Sequence, residues 1–171
     1  MLWIIVLGVA TGMRTFTAMA VLCWFMWLAR LPVTGFNAWT ASVVSVLIFT
    51  VLALGEYYGD TLPRTPSRKS PLGLLARLIF GAGVGALVAS SFIEPLAGGI
   101  LLGAIGALIG TYGGYGARMY LAGRVGRDFP VAVGESATAV LLSVVAMHFV
   151  CVDIVLQAHS AMLLRVLGVF A

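Results

Sequence analysis

The chain has 171 residues, 61% of them hydrophobic and 9% charged, with a formal net charge of +4. A mean hydropathy of +1.10 is too high for one soluble core and assigns the apolar runs to lipid. No basic groove with interleaved stacking residues is present, so the positive balance points to membrane topology and anionic lipid and excludes nucleic acid as a partner.

Five apolar runs each approach or exceed the roughly 20 residues a helix needs to cross a bilayer core. The predicted fold is therefore an all-α membrane protein, a single domain over 1–171 built as a bundle of about five transmembrane helices. The first run covers about residues 2–29. It is too long for a signal-peptide core and lacks a basic start and a small-residue cleavage site, so it reads as a retained helix. Arg14 falls near its middle, where an unpaired arginine costs about 2.5–3.5 kcal/mol, and must face protein or water. Thr11, Arg14, Thr15 and Ala18 follow the i, i+3, i+4, i+7 spacing and predict one small, polar stripe.

The second run, about 38–60, places Ser42, Ser45, Phe49, Leu52, Glu56, Gly59 and Asp60 on one face, with Glu56 and Asp60 one turn apart. A basic loop follows with Arg64, Arg68 and Lys69, candidates for contact with anionic lipid. Ser67 and Ser70 are placed to cap the next helix, with Pro71 in its first turn. The third run, about 72–93, carries Arg77 and then Gly81, Gly83 and Gly85. No strand precedes those glycines, so they are not a phosphate loop. The fourth, about 95–121, repeats small residues at Gly99, Gly103, Gly106, Gly110 and Gly114, which predicts a tight hairpin with the third helix or a homo-oligomer through the glycine-rich faces. Thr111, Tyr115 and Arg118 form another polar stripe on it. Glu135 opens the fifth run, about 134–152, and residues 153–171 read as a C-terminal interfacial helix.

With five spans the two basic loops, Arg64 to Lys69 and Arg124 with Arg127, share one side. The positive-inside rule makes that side cytoplasmic, with the N-terminus inside and the C-terminus outside an inner membrane. Trp24, Trp27 and Trp39 then mark the outer interface and Trp3 the inner one. At about 1.5 Å per residue, Glu56, Asp60, Arg77, Arg118 and Glu135 reach the cytoplasmic third, with Arg14 deeper. Three carboxylates against three arginines satisfy one another if the helices converge on a cytoplasm-facing polar pocket, and such intramembrane charges mark an ion or substrate path. Snorkelling and the helix dipole account for Arg118 and Glu135 taken singly, but not for Arg14.

A faint internal echo relates Gly12-Met13-Arg14 to Gly116-Ala117-Arg118 and Gly55-Glu56 to Gly134-Glu135. An inverted repeat would put the two Gly-Glu pairs on opposite sides. Their predicted depths put both on the cytoplasmic side.

Gly-x-Arg in the first run, Glu-x-x-x-Asp-x-x-Pro closing the second, a proline opening the third and Gly-Glu opening the last resemble a family of uncharacterised small bacterial integral-membrane proteins grouped under a domain of unknown function. Many members have Leu-x-Glu-x-x-x-Asp-Lys-x-Pro where this chain has Leu54 to Pro63 without the lysine, and Asn where it has Arg14. The resemblance implies the membrane fold and singles out Glu56, Asp60 and Pro63; it implies no activity.

Cys23 and Cys151 are lone residues in separate runs, and His148, Cys151 and Asp153 fall short of a zinc ligand set, so neither a metal nor another cofactor is expected. The preferred functional reading is a small transporter or channel for an ion or small polar solute. Its pathway residues are Arg14, Glu56, Asp60, Arg118 and Glu135, supported by Thr11, Thr15, Ser45, Arg77 and Tyr115. The alternatives are a membrane-embedded enzyme or binder acting on a lipid phosphate, and a helical accessory subunit.

Overall fold

The computed structural model describes residues 1–59, 71–92 and 95–166. Six α-helices occur among them: α1 (Leu2–Met13), α2 (Thr17–Trp27), α3 (Val43–Gly59), α4 (Pro71–Ser91), α5 (Leu96–Val125) and α6 (Asp128–Val166), with a 3-10 turn at Ala38–Ala41. No strand is present among the described residues. Three helices, α4, α5 and α6, are long and apolar enough to cross a membrane, fewer than the five runs predict; α1, α2 and α3 are apolar but shorter.

The difference begins in the first run. It is not one helix but two, and they turn back on each other. Trp3 stacks on Phe149 of α6 with ring centroids 4.4 Å apart, and Phe25 and Leu28 border a cavity with His148 and Cys151 of the same stretch of α6. Between them, Arg14 reaches Ala132, near the start of α6. Both outer ends of the run therefore meet one level of α6, and its middle meets another. A straight helix cannot do this, so α1 and α2 form a hairpin with its tip at Arg14–Phe16.

The remaining contacts extend the alternation. Trp24 Nε1 donates to Thr50 Oγ1 and Thr17 Oγ1 bonds Tyr57 Oη, so α3 runs antiparallel to α2. Phe16 packs edge-on against Phe80, which puts the tip beside the middle of α4. The α4–α5 pair and the α1–α5 pair meet through backbone. A Cβ built on Gly81 would lie 2.7 Å from the Ala107 Cβ, one on Gly99 2.6 Å from the Ala89 Cβ, and one on Gly8 2.9 Å from the Gly106 Cα. These approaches lie inside the chain, so those glycines are covered without a second copy.

Both ends of the bundle thereby acquire a character. One end holds Trp3, Trp24, Trp27 and Trp39 together with Met1, which borders a cavity with Phe92 and Asp153. Trp3 thus joins the other tryptophans, contrary to its predicted place across the bilayer. Fully or almost fully buried Ile4, Leu7, Leu22, Val84, Val88, Met147 and Val150 fill this half. Asn37 fastens the α2–α3 connection over it, donating to Ser90 Oγ (3.2 Å) and Ser91 Oγ (3.1 Å) and accepting from the Thr34 N–H. The opposite end holds Gly59, Pro71 and the α5–α6 turn, and with them the flanks of both basic loops; the hairpin tip faces this end from within the bundle.

Two boundaries also differ from expectation. Gly126, with a left-handed φ of 70°, ends α5 at Val125, and α6 starts at once with Asp128 in its first turn, where a carboxylate suits the helix dipole. At its other end α6 runs unbroken to Val166, so the separate interfacial helix expected after residue 152 is the continuation of one helix about 57 Å long.

Candidate functional site

The tip is built from the backbone groups that the helix break releases. In an unbroken helix the Thr15 and Phe16 N–H groups would donate to the carbonyls of Thr11 and Gly12. Here Arg14 adopts an extended conformation (φ −140°, ψ 113°), and both N–H groups turn to one carboxylate of α3. Thr15 N–H donates to Glu56 Oε1 at 2.8 Å and Phe16 N–H to Glu56 Oε2 at 3.1 Å. The freed Gly12 carbonyl accepts from Thr111 Oγ1 of α5 at 3.3 Å. Glu56 is thus a cap supplied from another helix, placed at the positive end of α2. Hydrogen bonds to a charged group are worth about 1.5–3 kcal/mol each, which offsets the loss of helical continuity in a region with little water.

Arg14 is 1% exposed. Its Nη2 donates to the Ala132 carbonyl at 3.1 Å, and its guanidinium lies 5.5 Å from the centroid of the Tyr57 ring, within cation–π range. The Tyr57 hydroxyl is engaged in turn by Thr17, 2.7 Å away. Arg14 is therefore level with Glu56 rather than deeper, because the run that carries it reverses there. The reversal also breaks the expected stripe: Thr11 lies in α1, bonded to the Leu7 carbonyl, whereas Thr15 lies in the turn.

A second charged group joins α5 to α6. Arg118 grips Asp128 through Nε (2.9 Å to Oδ1) and Nη2 (2.6 Å to Oδ2), and its Nη1 lies 3.6 Å from Glu135 Oε2. The Glu135 side chain is 6% exposed. It has room because Gly114 faces it: a Cβ there would stand 3.2 Å from Glu135 Oε1 and from Met13 Cγ.

The first turns of α6 separate two cavities. One, of about 440 Å³, lies between α5 and α6, with Arg118, Glu135 and Thr138 among mostly apolar walls and Met13 beneath the tip. The other, of about 300 Å³, lies between α3 and α6 and is lined by Arg14, Tyr57, Tyr58, Phe129, Ala132, Val133 and Ser136.

Of the residues named from sequence, Arg14, Thr15, Glu56, Arg118 and Glu135 meet at this level, with Thr11 and Thr111 one turn below the tip. Arg77 is buried in α4, one turn from Phe80 on the side of the basic loops. Tyr115 is half-buried on α5 between Gly114 and Arg118. Ser45 does not join them; its hydroxyl donates to the Trp39 carbonyl at the tryptophan end. Asp60, Arg64, Arg68 and Lys69 lie outside the described residues. Asp128 and Tyr57 were missed as members. Asp128 reads as a loop charge beside Arg127, and Tyr57 as an interfacial anchor; one turn of spacing from Thr17 or Arg118 exists in neither case, so only tertiary contact reveals them. The echo between Arg14 and Arg118 also dissolves, since one lies in a helix break and the other within a continuous helix.

Among the described residues no three His, Cys, Asp or Glu side chains group closely enough to hold a metal ion. Comparison with family models, with curated proteins and with solved structures finds no match for this chain.

Proposed function

We propose that the protein is a small transporter or channel of a bacterial inner membrane, moving an ion or small polar solute through a pocket at the end that carries the basic loops. The observation that supports this best is the placement of two cavities around the tip of a short helical hairpin. Each has a charged wall, Arg14 in one and Arg118 with Glu135 in the other. Discontinuous helices whose ends stop inside a bundle suit a solute site in an apolar solvent, because they bring polar backbone and the charged side chains that cap it into the bundle interior. Beyond the tip the tightly filled apolar core closes the way to the tryptophan end, so the arrangement corresponds to a state open on one side.

The positive-inside rule puts the basic-loop end in the cytoplasm. Met1 and the end of α6 then lie on the outer side, the reverse of the N-terminus expected from five spans, because the first run enters the bundle and returns to the end from which it started. The roles divide as well. Glu56 and Arg14 hold the hairpin, whereas Glu135, buried and facing a cavity, is the carboxylate placed to meet a solute or carry a proton. Glu135→Gln keeps the shape and removes the charge. In proteoliposomes screened across small ions and polar solutes, the wild type is expected to move at least one solute, and Glu135→Gln to fall to the level of protein-free vesicles with unchanged thermal unfolding. Full flux in Glu135→Gln would overturn the role of this carboxylate.

A further inference from the structure

A third cavity stands at the tryptophan end, away from every charge used above. It has a volume of about 540 Å³ and lies between the end of α2 and α6, with Phe25, Leu28, Arg30, His148, Cys151 and Val155 on its walls. Leu28, Arg30, His148 and Val155 are exposed, so the groove opens outward. Its walls are apolar apart from Arg30 and His148, both of which carry N–H donors.

The backbone fixes Arg30 there. Ala29 ends α2 in the left-handed region at φ 53°, the one non-glycine residue with positive φ among those described. Its N–H donates to the Met26 carbonyl and the Arg30 N–H to the Phe25 carbonyl at 3.0 Å, the paired closure of a helix C-terminus that glycine normally serves. This fold returns Arg30 over the last turn of α2, beside Phe25 and Leu28. A conformation unfavourable for alanine is kept, and its result is to hold a guanidinium at the mouth of an apolar groove. Exposed Trp24, Trp27 and Trp39 mark the same level, where indole rings sit among lipid headgroups.

We infer that this groove is a binding site for one anionic phospholipid, with the phosphate against Arg30 and His148 and an acyl chain along Phe25, Cys151 and Val155. Charge complementarity selects the ligand: Arg30 and His148 are the polar groups on the walls and neither is acidic. Asp153 lines the neighbouring cavity with Met1 and Phe92, on the far side of Leu156. The site does not depend on transport, and it uses none of Arg64, Arg68 and Lys69, the cations that sequence alone nominates for lipid.

The test is native mass spectrometry of the full chain released from a nonionic detergent containing equal phosphatidylglycerol and phosphatidylcholine of matched chains. The wild type is expected to retain one phosphatidylglycerol in preference to phosphatidylcholine. Arg30→Gln should lower that occupancy about fivefold, the effect of one basic residue at a membrane surface, and Arg30→Lys should largely restore it. Val152 also lines the groove, and Val152→Trp, which fills it, should remove the bound lipid, while joint replacement of Arg64, Arg68 and Lys69 by Gln should leave it in place. Equal retention of the two lipids, persistence of the adduct in Arg30→Gln, or its loss in the triple variant would each overturn the assignment.

Discussion

The α4–α5 seam and the α1–α2 tip solve the same problem by different means. Along the seam, Gly81, Gly85, Gly99 and Gly103 bring two backbones together with no side chain larger than the Ala89 and Ala107 methyls against them. At the tip, two backbone N–H groups, a carboxylate, a guanidinium and a phenol hold a reversal in place. Close backbone contact gives dispersion over a long interface and cannot be adjusted without a clash. A charge-assisted contact is local, and a proton or a solute can alter it. The seam is therefore the frame, and the tip is where chemistry can act.

The largest effect is expected from breaking the frame. A Cβ at Gly103 would run into the Gly81 carbonyl and meet the Gly85 Cα at 3.3 Å. Gly103→Leu should cost about 3 kcal/mol, read as a lowered unfolding midpoint and yield in detergent. A Cβ at Gly113 would meet nothing within 4 Å, so Gly113→Ala should unfold like the wild type. If both behaved alike, the seam would not be the frame.

Next comes the cap. Glu56→Ala removes two hydrogen bonds to a charged acceptor and should destabilise by about 3 kcal/mol, the low end for two such bonds, with faster hydrogen exchange at the Thr15 and Phe16 amides. Glu56→Gln keeps one acceptor oxygen and should lose about half as much. Smaller again is Tyr57→Phe. It removes the bond to Thr17 but leaves the ring beside Arg14, for a loss of about 1 kcal/mol and no change in flux.

The seam was far more legible in the sequence than the tip. Small residues four apart are a local pattern, and the helix period alone puts Gly99 with Gly103 and Gly81 with Gly85. The reversal at Arg14 has no such signal, because neither glycine nor proline interrupts Met13 to Thr17. Two clues pointed to it: a run of about 28 residues exceeds what a bilayer needs, and an arginine at its middle has no local partner. The groups that stabilise the break, Glu56, Tyr57, Thr111 and Ala132, come from three other helices, and no periodicity reports on them. Arg14, Glu56, Arg118 and Glu135 were conspicuous in the sequence because charge is scarce within its apolar runs. Their division into a hairpin clamp and a pocket wall was not, because Glu56 and Glu135 look alike until one is seen on backbone N–H groups and the other against a cavity.

The reversal itself decides the most, since Arg14 returns to mid-span and Glu56 loses its partners without it. Leu2 and Leu28 are both exposed, 66% and 53% respectively, and bracket the run. Spin labels at these positions, in a chain with Cys23 and Cys151 replaced by alanine, give their separation by double electron–electron resonance. A hairpin predicts a distance below about 25 Å, and one continuous helix predicts about 39 Å at 1.5 Å per residue. The short distance is the expected result; the long one would contradict the hairpin and the site built at its tip.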